Sequence, residues 1–115
     1  MGQLNIKQRQ AGDVAILDLD GDIRIGDSAT ALRTSIRELV AGGSNKILLN
    51  LAGVKYIDSS GIGELIANYT TVGRGGGQMK LLSLTDKVQD LLVITKLLTV
   101  FDVYDAEADA LSSYK

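Results

Sequence analysis

Asp58-Ser59-Ser60-Gly61-Ile62-Gly63 gathers a carboxylate, two hydroxyls and two glycines into six residues. It follows the apolar run Ile47 to Leu51 after a loop, Ala52 to Ile57, and leads into apolar residues at helical spacing,. Three kinds of chemistry are open to such a stretch. Asp58, Ser59 and Ser60 are all good N-cap residues that can satisfy the free N–H groups at the start of a helix. A hydroxyl at that junction can also accept a phosphoryl group, because a helix N-terminus offers free N–H groups and the positive end of the dipole. Finally, Asp58 with Asp18, Asp20 and Asp22 could form a Mg²⁺ site in which Asp58 is itself the phosphoacceptor.

Composition narrows these choices. The chain contains no histidine and no cysteine. This removes the Ser-His-Asp triad, the Cys-His pair, and imidazole and thiolate metal sites together, and it leaves no disulfide to require an oxidising compartment. A non-catalytic, cofactor-free cytoplasmic protein is expected. The formal charge is −2 and no basic block is present, so nucleic acid is not an expected partner,. Every apolar stretch is broken well before the roughly 18 residues that span a bilayer, and the amino terminus does not read as a secretory signal. With 115 residues and no linker or repeat, one domain over residues 1–115 is expected,.

The elements that must position the motif follow from periodicity. Leu4 to Gln10 alternates as a half-buried edge strand, and Val14 to Leu19 returns beside it after a turn at Ala11-Gly12-Asp13, ending at Asp20-Gly21-Asp22,. Asp27 is positioned to cap a first helix, whose Ala29, Leu32, Ile36, Leu39 and Val40 recur at helical spacing and which stops at Gly42-Gly43. Lys46 to Leu51 reads as a central strand buried on both faces. After the motif, a second helix to about Val72 presents Ile62, Leu65, Ile66 and Tyr69 on one side and Glu64, Asn68 and Thr71 on the other. Gly73 to Gly77 then turns into a strand from Met79 to Leu84, since it lacks the Gly-Lys-Ser/Thr ending of a phosphate-binding loop. Thr85 or Asp86 caps a third helix, Val100 to Val103 reads as a short strand, and Asp105 as the cap of a last helix. Lys96, Leu97, Leu98 and Phe101 read as core closure. The sum is a single α/β domain: a mixed sheet with an N-terminal antiparallel hairpin and packed helices.

The stretch from Leu48 to Gly63 resembles the signature of STAS domains of the anti-sigma factor antagonist family, L-D-L-x-x-V-x-x-I-D-S-S-G-hydrophobic-G, and the element order resembles that family over nearly the whole chain. The resemblance implies an antagonist that binds a switch-protein Ser/Thr kinase acting as the anti-sigma factor, thereby regulating transcription indirectly. It also implies phosphorylation at Ser59, with Ser60 as the fallback acceptor, which ends binding until a phosphoserine phosphatase reverses it. Asp58, Gly61, Ile62, Gly63 and Arg24 are then expected to shape the partner-binding surface. Asn50 departs from the family's aspartate, and Gly21-Asp22-Ile23-Arg24 departs from its Gly-x-Leu-Asp by placing a cation at the acidic position. Arg24 could pair with a phosphate on Ser59. Two alternatives stand beside this reading: a receiver-like phosphotransfer domain using Asp58, and an unphosphorylated STAS accessory subunit of another complex. The opening pair of strands, with no helix between them, is unlike a receiver.

Overall fold

A computed structural model describes residues 3–114. The elements are β1 (Leu4–Ala11), β2 (Val14–Ile23), α1 (Asp27–Ala41), β3 (Lys46–Ile57), α2 (Ser59–Arg74), β4 (Gln78–Leu82), α3 (Asp86–Ile94), β5 (Val103–Tyr104) and α4 (Glu107–Ser112). They form one five-stranded sheet in the order β1-β2-β3-β4-β5, with β1 antiparallel to β2 and the other pairs parallel. The expected hairpin, edge strand and mixed sheet are all present.

Side-chain alternation in the strands decides which layer covers which face. Ala15, Leu17 and Leu19 of β2 and Ile47, Leu49 and Leu51 of β3 meet Leu32 and Ile36 of α1, Leu65 and Val72 of α2, and Val88 and Leu92 of α3. This is the main core. The opposite face presents Val14, Ile16, Leu48 and Leu82 to Ala110 of α4, with Tyr104, Leu111 and Tyr114 packed around them. The Tyr114 hydroxyl donates to the Ile47 carbonyl, and burial raises its pKa above the usual phenol range,.

Several boundaries differ from the periodicity reading. Ala52 to Ile57 is strand rather than loop, and β2 continues past Leu19 to Ile23. The pairing of β2 with β3 shifts register between Asp18 and Asp20 and again between Gly21 and Asp22. Such bulges break the period of two by which a strand is recognised. Glycine is required where the strands crowd: a Cβ on Gly53 would lie 2.8 Å from the Leu19 carbonyl oxygen.

The helix caps also differ in part. Gly26, at φ +98°, precedes α1, so Asp27 is its first helical residue rather than its cap. Thr85 caps α3 as expected, accepting from Val88 N. Residues Leu98–Val100 form a 3₁₀ turn in place of the expected strand start, and α4 begins after Ala106 with no side-chain cap from Asp105. Phe101 closes the core against Tyr69, edge-to-face at 5.2 Å,.

Candidate functional site

The motif stands where β3 passes into α2. Asp58, with φ −100° and ψ −178°, is the N-cap, and its Oδ1 accepts the Gly61 N–H at 2.7 Å. Its Oδ2 accepts the Ile25 N–H at 3.1 Å, from the loop between β2 and α1. One carboxylate therefore starts a helix and clips a neighbouring loop to it. The bond from Gly61 is the main reason that the Asp58 carboxyl sits below its ordinary pKa, with smaller help from Ile25, Ser60 and the charge of Arg24,. It is a structural anion.

Gly61 is needed because α2 begins close against β2. A Cβ there would run into the Ile23 carbonyl oxygen and lie 2.7 Å from Ile57 Cγ1. Gly61 and Ile62 are both buried, with Ile62 in the main core at 5% exposure. These two residues seat the helix from beneath. The solvent-facing part of the motif is Ser59, Ser60 and Gly63, and a side chain at Gly63 would meet open space.

Around these residues lies a surface built by neighbouring elements. Ile25 is 77% exposed, and Tyr56, at 38%, carries the Arg24 guanidinium 4.0 Å above its ring. Arg24 Nε also donates to Asp22 Oδ2 at 3.2 Å. On the other side of Tyr56, a shallow groove is lined by Ile57, Lys87, Asp90, Leu91 and Ile94, the last of these largely exposed. Of the residues expected to shape a docking surface, Arg24 and Gly63 are exposed at this end of the sheet beside Asp58, together with Ile25, Tyr56 and Ile94. Gly61 and Ile62, in contrast, are buried against β2 and the core and cannot face a partner. The sequence singled out none of Ile25, Tyr56 and Ile94, since exposure leaves no mark on composition.

The carboxylates proposed as a Mg²⁺ site do not converge. Asp18 accepts a forked pair from Arg9 at 2.5 and 3.0 Å, which chiefly accounts for its lowered pKa, and Asp22 pairs with Arg24. Both oxygens of Asp58 are engaged by backbone N–H groups, and among the described residues no cluster of three or more acidic, histidine or cysteine side chains could hold a metal. Asn50 explains its own departure from the family pattern. Its Nδ2 donates to Asp18 Oδ1 at 2.8 Å and its Oδ1 accepts from Ala52 N at 3.1 Å, so an aspartate there would set carboxylate against carboxylate,.

A second group escaped the sequence reading. Glu64 and Asn68, expected on the outer face of α2, are 7% and 2% exposed and lie between α1 and α2. Arg33 of α1 reaches Glu64 Oε1 at 2.8 Å through Nη2, and Asn68 donates to Glu64 Oε2 at 3.1 Å. A buried carboxylate needs such partners. The spacing of Glu64 and Asn68, i and i+4, is the available signal, but it also fits a solvated face.

The family model for the STAS domain matches residues 5–110. The chain belongs to the STAS domain family. This STAS domain is 28% identical over 100 residues to the anti-sigma-B factor antagonist of Bacillus subtilis, covering 87% of this chain and 90% of that protein. It superimposes on the crystal structure of TM1081 from Thermotoga maritima with a TM-score of 0.87 and 27% identity, covering 95% and 93% of the two chains. The fold is also that of the anti-sigma factor antagonist SpoIIAA in its unphosphorylated form, at a TM-score of 0.79 and 17% identity over 94% of each chain. In the STAS domain described here, no helix among the described residues is long and apolar enough to cross a membrane.

Proposed function

We propose that this STAS domain is an anti-sigma factor antagonist: a non-catalytic, cytoplasmic binding module that docks on an anti-sigma factor with Ser/Thr kinase activity and frees a sigma factor. Phosphorylation of Ser59 ends the docking, and a phosphoserine phosphatase restores it. The observation that carries this reading is the division of labour at the start of α2. Asp58 uses both carboxylate oxygens to build the junction, so the adjoining Ser59 hydroxyl has no structural duty there and faces solvent.

Electrostatics makes this position an effective switch. A phosphoserine brings about −1.5 to −2 charges to a site that already holds Asp58 and lies near Asp22. A partner seated over Ile25, Tyr56 and Gly63 would have to desolvate or oppose that charge. A cost of about 3 kcal/mol weakens binding roughly a hundredfold. Incubation with the cognate kinase and ATP followed by mass spectrometry should place one phosphate on Ser59. Tight kinase binding with Ser59 unmodified would remove the phospho-switch while sparing the binding-module reading.

A further inference from the structure

Arg24 is held firmly by its backbone and loosely by its side chain. Its amide donates to the buried Ser28 hydroxyl at 2.7 Å, and its carbonyl accepts from that hydroxyl at 3.0 Å. The guanidinium, in contrast, is attached to an Arg24 side chain that is 45% exposed, and it is held by an ion pair with Asp22 and by stacking on Tyr56. Exposed contacts of both kinds are weak. Little therefore keeps the guanidinium where it lies.

Its position matters because of what stands opposite. Ile23 is in register with Ile57, so Arg24 follows β2 beside Asp58, about one strand spacing or ~4.8 Å away, and Asp58 immediately precedes Ser59,. The bond from Ile25 N to Asp58 fixes this neighbourhood, and the charge of Arg24 is already felt at the Asp58 carboxylate. A phosphomonoester on Ser59 would arrive within reach of an arginine whose present partners are easily left. Planar guanidinium binds phosphate through two parallel N–H donors, a stronger arrangement than either contact it would give up.

We propose that Arg24 is a two-position clasp, stacked on Tyr56 while Ser59 is unmodified and paired with the phosphate once Ser59 is phosphorylated. The idea rests on the reading of Ser59 as the modified residue. Two consequences follow from the geometry. Transfer of the guanidinium uncovers the Tyr56 ring beside Ile94 and Leu91, so modification alters the apolar part of the docking surface as well as its charge. It also offsets part of the repulsion from Asp58 and Asp22, which favours persistence of the phosphorylated form.

The test uses the full chain with phosphoserine inserted at position 59 during translation, so no kinase is needed. The phosphate is titrated by phosphorus NMR in the otherwise wild-type chain and in Arg24→Ala, and the Tyr56 ring protons are followed with and without the phosphate. Asp58 on the helix cap and Asp22 on β2 raise the phosphate pKa in both proteins, while Lys87 and Asp90 flank Tyr56 unchanged, so the difference isolates Arg24. The expected result is an apparent pKa lower by about half a unit in the wild-type background, with partial recovery in Arg24→Lys. Tyr56 ring signals should move on modification only when Arg24 is present. Equal titrations in the two proteins, or Tyr56 signals that do not respond to the phosphate, overturn the clasp. Either outcome is independent of whether a kinase modifies Ser59, which the kinase assay decides separately.

Discussion

Asp58 and Ile25 are joined by a hydrogen bond of 3.1 Å between residues 33 positions apart, from the Ile25 amide to the Asp58 carboxylate. That bond ties the loop after β2 to the first turn of α2, and with it the exposed Ile25 and Arg24 to the exposed Ser59. Asp58→Ala should destabilise the domain by about 1 kcal/mol, the usual cost of losing an N-cap. Asp58→Asn should lose less, because an amide oxygen still caps. The pH dependence has a definite sign. The folded-state pKa of Asp58 is lowered, so its contribution is present above the ordinary carboxylate range and is lost as pH falls through the folded value,. Urea unfolding should show the gap between wild type and Asp58→Ala at pH 7 and its narrowing near pH 3.

Gly61→Ala tests the close approach of α2 to β2. The added methyl would meet backbone at Ile23 and side chain at Ile57, and the backbone cannot turn aside as a side chain can. A loss of about 1–3 kcal/mol is expected, as for overpacking elsewhere. Gly63→Ala, two residues further along α2 with open space around the added methyl, should be neutral or stabilising by up to about 1 kcal/mol, since alanine is the better helix former,. Equal midpoints in thermal unfolding for the two variants would contradict the packing described.

Arg33 and Glu64 should behave as a coupled pair. Removal of Arg33 leaves a carboxylate that is 7% exposed with Asn68 as its remaining side-chain partner. Arg33→Ala should lower the unfolding midpoint, and Glu64→Gln in that background should recover part of the loss by removing the charge. A double-mutant cycle measures the coupling. Strictly additive effects would mean that the pair does not hold α1 to α2.

Ser59 is tested by charge. Ser59→Ala should keep kinase binding and abolish modification, whereas Ser59→Asp should weaken binding by tenfold or more, corresponding to about 1.4 kcal/mol. Titration calorimetry with the purified kinase provides the comparison. Equal affinities for wild type and both variants would sink the electrostatic switch.

Local chemistry made much of this protein legible in its sequence. Alternation in Leu4 to Gln10, the aliphatic run Lys46 to Leu51, the helical spacing of Leu32 and Ile36, and Thr85 before Val88 are short-range signals, and the hairpin, central strand and helices they imply are present. The motif itself announced a polar cap with a hydroxyl beside it. Tertiary structure decided what short-range patterns cannot encode. Bulges opposite Asp18 and Asp22 prolong β3 through Gly53, although its alternation is broken there. Glu64 is interior because Arg33 comes to it from another helix, and Ile62 is core because Gly61 lets α2 lie close on β2. Arg24, a departure from a pattern when read in sequence, becomes a stacked cation beside Asp58 because two strands end side by side. Residue types and spacing determine which groups can cap, pack or accept a phosphate; the pairing of distant segments determines which of them face one another.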